Sequence, residues 1–115
     1  MEAKSWETIH VERMSDKVTR QVMHGQHATV ARFFLARGAV VPQHAHESEQ
    51  FTAVLSGALK LVFKDGEVVL RAGQVLHIPS NVPHAAEALE DTTVQDTFAP
   101  RREDWIQKDD AYLRK

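Results

Sequence analysis

Runs rich in Val, Phe, Leu and Thr recur along the chain, each a few residues long and set apart by Gly, Pro and Asp. Inward and outward positions alternate within them, and many such runs in succession indicate an all-β sandwich or barrel. The pattern places strands near 17–24, 27–36, 50–55, 58–64, 67–70, 74–78, 84–89 and 93–98. Asp65-Gly66 lies between the alternating stretches Leu59–Phe63 and Glu67–Leu70. That dipeptide suits the positive φ values of a two-residue type I′ hairpin. Pro42, Pro79, Pro83 and Pro100 fall outside the expected strands, where a missing N–H does least harm. Helix signals are confined to Pro100 through Ile106, where proline followed by acids opens one short turn. The residues after it read as a solvated tail.

At 115 residues the chain fits one domain over 1–115, with a barrel core at about 27–98 and a short C-terminal tail at 101–115. A domain of this size buries roughly 65% of its unfolded surface, enough for one real core. The net charge is −2 with both signs interspersed, so no basic stripe favours nucleic acid or an anionic membrane. Cysteine is absent, which removes disulfides, thiolate metal sites and thiol nucleophiles together. The first residues lack the apolar stretch of a secretory signal, and no apolar run approaches the ~20 residues that span a bilayer. A cytoplasmic location is expected.

Seven histidines focus the search for chemistry. Side chains alternate faces along a strand, so His44 and His46 project from one side and can grip an ion together. Gln50 has the same parity if the residues between stay extended. Val94, Asp96 and Phe98 share one face of the last strand, and His84, Ala86 and Ala88 share one face of theirs. Glu47 and Glu49 have the wrong parity for the inward face and read as solvated or as hydrogen-bond partners. His10, His24, His27 and His77 stand apart, with His77, just before Ile78-Pro79, the first exception to consider.

The spacing Gly38-x5-His44-x-His46-x3-Gln50-x6-Gly57 resembles the first cupin motif, with Gln50 where that motif usually has Glu. Gly73-x5-Pro79-x-Asn81-x2-His84-x3-Ala88 resembles the second, with Asn81 for its usual Gly and Ala88 for its usual Asn. Asn tolerates left-handed backbone, so Asn81 can still close the turn. The resemblance implies a single-domain cupin, an RmlC-like jelly-roll barrel of antiparallel strands. It also implies one divalent transition metal on His44, His46, Gln50 and His84. Zn, Ni, Fe, Mn and Cu are all compatible with imidazole-rich ligands. Three histidines and water, with Gln50 an ordinary polar residue, would equally suit catalytic zinc.

A neutral fourth ligand leaves the ion its full double charge, which suits polarising oxygen without a change of oxidation state. His46-Glu47-Ser48-Glu49-Gln50 followed by Asp96-x-Phe98-x-Pro100-x-Arg102 is similar to the small pectin-degradation cupins called KdgF. The resemblance covers roughly residues 6–106. It implies an enzyme of isomerase or lyase type that converts 4,5-unsaturated monouronates into linear keto forms. By that resemblance Asp96 transfers a proton, Arg102 holds the sugar carboxylate and Phe98 forms a wall beside the ring. Arg101, one residue away, is the alternative clamp. A cupin dioxygenase and a non-catalytic sugar-binding cupin are the competing readings. The partners expected are a sugar-acid substrate and a second copy of the chain, paired through sheet edges that need protection.

Overall fold

In the computed structural model, which describes residues 1–114, the alternating runs become ten antiparallel strands. In chain order these are β1 (Glu12–Ser15), β2 (Val18–His24), β3 (Thr29–Leu35), β4 (Val40–His44) and β5 (Glu49–Ser56). β6 (Ala58–Phe63), β7 (Gly66–Arg71), β8 (Val75–Ile78), β9 (His84–Ala88) and β10 (Thr92–Ala99) follow. A one-turn helix α1 (Glu103–Ile106) and a 3-10 turn at Ala111–Leu113 complete the order. The strands form a six-stranded sheet, β1-β2-β3-β10-β5-β8, facing a four-stranded one, β4-β9-β6-β7. This is a jelly-roll, as expected. Among the described residues no helix is long and apolar enough to cross a membrane.

The inward faces follow the sequence alternation. Ala31, Phe33 and Leu35 of β3, Val94 and Phe98 of β10, Val54 of β5 and Leu59 and Leu61 of β6 are all buried in one core. Burying side chains of this kind stabilises the fold by roughly 1.5–3 kcal/mol each. Gly57, in the β5–β6 turn, has φ +90, and a Cβ there would lie 2.3 Å from the Asp91 carbonyl oxygen. Only glycine fits that crossing.

Several expectations need correction. β1 and β4 were not legible as strands, and Pro42 lies inside β4 rather than outside any strand. β4 is an edge strand with a register shift between Val41 and His44, so the missing N–H breaks no ladder bond. The β6–β7 hairpin exists, but Phe63 pairs with Gly66, which makes Lys64-Asp65 the turn. Neither has positive φ among the described residues, while Gly66 adopts φ +144, so the turn is not type I′. Asn81 does adopt left-handed φ, at 64°.

The segment from α1 onward is not a solvated tail. Trp105, Asp110 and Leu113 are buried, with Trp105 edge-on to Phe33 and Phe98 at 5.9 and 5.0 Å between ring centroids. Asp110 accepts from Arg20 Nη2 at 3.0 Å, which ties the segment to β2. It folds over one end of the barrel because three scattered side chains find partners there.

Candidate functional site

His44 ends β4 and His84 opens β9, and the two are paired across the four-stranded sheet. His46 comes from the bend between β4 and β5, not from a continuing strand, yet its ring turns to the same point. Centroid separations are 5.7 Å for His44–His46, 4.4 Å for His44–His84 and 5.2 Å for His46–His84. Gln50 reaches the cluster from β5, with Oε1 3.0 Å from His46 Nε2. The inward parity expected for Gln50 holds, since Ser48, Gln50 and Thr52 are all buried.

Each histidine has Nδ1 2.8 Å from a main-chain carbonyl, of Pro42, Ser48 and Val82 respectively. A carbonyl only accepts, so each Nδ1 carries the proton and each Nε2 presents a lone pair. Burial holds all three rings neutral: His44 and His46 are pushed down to about 4, and His84 is lowered by the same cause. For His46 the Arg102 charge adds to burial.

Two observations show that this donor set fits a cation. His84 Nε2 is buried without any hydrogen-bond partner. His46 Nε2 and Gln50 Oε1 face each other at 3.0 Å although, with Nδ1 protonated, both are acceptors. A positive ion satisfies all of these lone pairs together. The three imidazoles offer ligand atoms within 4.8 Å of one another. Around an ion held at ~2.1 Å in tetrahedral geometry ligand atoms stand ~3.4 Å apart, so inward shifts of up to about an ångström at each ring complete the site. His44, His46, His84 and Gln50 could therefore hold a divalent metal.

Asp96 and Thr52 are paired across β10 and β5, and Asp96 is buried beside Gln50. Burial pushes its carboxyl up to about 6, against the opposing pull of Thr52, the Arg102 charge and Gln50. Asp96 Oδ1 has no partner. Phe98, two residues on, lies edge-on to His46 at 5.6 Å.

Arg102 and Arg101 are plainly separated. Arg101 is on the surface, paired with Glu103. Arg102 is buried, its guanidinium 4.1 Å from the Trp105 ring and 4.7 Å from that of Phe98. Its Nε and Nη2 donate to the Asp104 carboxylate at 2.9 and 2.7 Å, and Nη2 also donates to Tyr112 Oη at 2.8 Å. Nη1 is the donor nitrogen outside these bonds.

His44, His84, Gln50, Asp96, Phe98 and Arg102 line one inner cavity of about 50 Å³. His46 and Arg102 also border an outer vestibule of about 580 Å³. His77 takes no part: it is exposed and hydrogen-bonded to Glu49 at 2.8 Å. Glu47 is exposed at the vestibule. Sequence reasoning missed Thr52 and Tyr112. Parity with Gln50 could have found Thr52, but no spacing marks Tyr112, whose ring stacks on His44 at 4.5 Å.

Residues 31–95 match the model of the cupin domain family. No curated relative matches the chain. Among solved structures, KdgF from Halomonas sp. is 28% identical, with a TM-score of 0.81 over 88% of this chain and 96% of that one. An RmlC-like cupin from Shewanella frigidimarina is 26% identical, with a TM-score of 0.82 over 89% and 93%. One from Desulfovibrio desulfuricans is 27% identical, with a TM-score of 0.72 over 88% and 100%. With its two histidine motifs meeting inside a jelly-roll and more than half its length matched, the chain belongs to the cupin family.

Proposed function

We propose that this cupin is a metal-dependent enzyme that opens 4,5-unsaturated monouronates to linear ketones. The observation that carries the reading is one cavity lined by His44, His84, a neutral Gln50, Asp96, Phe98 and Arg102, with His46 clustered against its histidines and Gln50. The similarity to KdgF cupins, the family with this activity, supports it.

When bound by His44, His46, Gln50 and His84, a divalent metal would supply Lewis acidity toward sugar oxygens. The rest falls to the chain. Arg102 Nη1 donates to the sugar carboxylate and orients the ring. Phe98 excludes water from one side. The reaction is an isomerisation: the C1 hydroxyl proton leaves, the bond from C1 to the ring oxygen breaks, and the enol released at C5 takes a proton at C4. Asp96 Oδ1 holds and moves that proton. A carboxyl pushed up to about 6 is near enough to neutrality to do both.

The experiment is loss of the ultraviolet band of a 4,5-unsaturated uronate, with the spontaneous rate subtracted. Asp96→Asn keeps the shape and should keep the metal, yet lower the rate by at least ~10²-fold if Asp96 moves the proton. Metal-loaded wild type that accelerates neither galacturonate-derived nor guluronate-derived substrate refutes the reading.

A further inference from the structure

The inner cavity and the outer vestibule share a single lining residue, Arg102. On the vestibule side Arg102 is clasped by Asp104, and on the cavity side by the Tyr112 hydroxyl. Trp105 Nε1 donates to the same hydroxyl at 3.2 Å. The Tyr112 ring covers His44 in a stacked arrangement, 26° from parallel. His46 borders the vestibule, whereas His44 and His84 line only the inner cavity, and the Arg102–Tyr112 pair stands between those two imidazoles and the larger outer space.

Volume gives this partition its meaning. About 50 Å³ holds about four waters at ~10–15 Å³ each. Pockets for small organic ligands run to roughly 300–1,000 Å³, so a six-carbon sugar acid does not fit beside His44 and His84 as the cavity stands. Something must move, and the contacts single out which group. Arg102 is held by four partners: the Asp104 carboxylate, the Tyr112 hydroxyl and the faces of Trp105 and Phe98. The main chain around Tyr112 is also fixed, by buried Leu113 on one side and by Asp110 on the other. Asp110 accepts from Arg20 and from Arg114, both at 3.0 Å. Tyr112 itself is half-buried, and its side chain can swing about χ1 without disturbing these anchors.

We infer that Tyr112 is a specificity gate: its ring, closed over His44, admits water-sized molecules to His44 and His84 and must swing aside for a larger ligand. The proposal deepens the uronate reading, on which it rests only for the identity of the large guest.

Carbethoxylation by diethyl pyrocarbonate tests the gate directly on the full-length, chelator-treated protein, with the rate at each histidine read by peptide mass spectrometry. Exposed His27 serves as the internal reference. In wild type, His44 and His84 should react at least ~10-fold more slowly than His27, as expected of groups reached only through local opening. Tyr112→Ala should raise both rates by at least ~10-fold and leave His27 unchanged, whereas Tyr112→Phe, which keeps the ring, should behave as wild type. Should the Ala variant lose its native circular dichroism, Tyr112→Leu, smaller than tyrosine but still apolar, takes its place with the same expectation. Wild-type His44 and His84 as reactive as His27 overturn the gate, and so does unchanged protection in a folded Ala or Leu variant. Neither readout involves a sugar. Absence of uronate turnover with this protection pattern intact would defeat the substrate and leave the gate standing.

Discussion

Asp96 offers a test of the site that needs no substrate. In the metal-free protein its carboxyl is pushed from 3.8 up to about 6 by burial. A group whose folded pKa is raised gives stability that is fully present below the unfolded value and is lost as pH rises through the folded one. Relative to the fully protonated state, ionising Asp96 therefore costs roughly 3 kcal/mol at pH 8 and roughly half that at pH 5. Asp96→Asn removes this dependence. The substitution also alters hydrogen bonds, because the Asn NH2 group would stand where Oδ1 has no partner. That change adds a constant that does not vary with pH.

The difference of differences cancels the constant. Between pH 5 and pH 8 the stability of Asp96→Asn relative to wild type should move in favour of Asn by roughly 1–2 kcal/mol. In thermal unfolding this corresponds to about 5 °C for a domain of this size. Urea denaturation of chelator-treated wild type and variant at both pH values measures it. A relative stability that stays constant, or that moves toward wild type at pH 8, would refute the claim that burial outweighs Arg102, Thr52 and Gln50 at this carboxyl. Saturating metal should shrink the effect, because a nearby cation favours the carboxylate.

Purified protein should carry about one divalent metal per chain, and His44→Ala and His84→Ala should each abolish its retention through gel filtration. Gln50→Ala should weaken retention less, since water can replace a neutral oxygen ligand; equal metal content in all three variants would contradict the assignment. Without metal, stability should fall as pH drops from 6.5 through about 4, because His44 and His46 protonate more readily when unfolded. Guanidine denaturation at pH 7 and pH 4.5 checks this, and a flat profile would count against buried neutral rings. Arg102→Ala should raise KM for a uronate and also lower stability through lost contact with Trp105 and Phe98, with Arg102→Lys keeping charge but losing the fork. A homodimer is expected from exposed Phe34, Phe51, Leu55 and Val75, and sedimentation showing a monomer at micromolar concentration would refute it.

The strands that were legible in the sequence carry an apolar residue at every second position, as in Ala31, Phe33 and Leu35. β1 escaped because Glu12–Ser15 turns only one apolar side chain inward, Met14, and leaves polar neighbours on either side. β4 escaped because proline usually argues against a strand, and its tolerance here depends on an edge position that only the assembled sheet defines. The meeting of His44, His46 and His84 was readable because short spacings in two motifs bring the histidines together. The closing segment was not, since Trp105, Asp110, Tyr112 and Leu113 follow neither strand nor helix period. Their burial depends on Arg20 and Phe33, which lie more than seventy residues away in sequence.

That long-range closure changes how Arg102 must be understood. A buried guanidinium without a counter-charge is strongly unfavourable, and Asp104 supplies one through two parallel hydrogen bonds. An arriving carboxylate therefore does not meet a bare positive charge. It either adds at Nη1, beside an already neutralised pair, or exchanges with Asp104 for an equivalent bond. Both routes yield modest net attraction, so on the proposed reading Arg102 would act less as a magnet for anions than as a fixed fork that orients them. Trp105 and Phe98 hold the plane of that fork, and Phe98 also meets the His46 ring. On that reading the orientation of a bound acid relative to His44, His46 and His84 would be set by aromatic packing, and that packing exists only once the C-terminal segment has folded over the barrel.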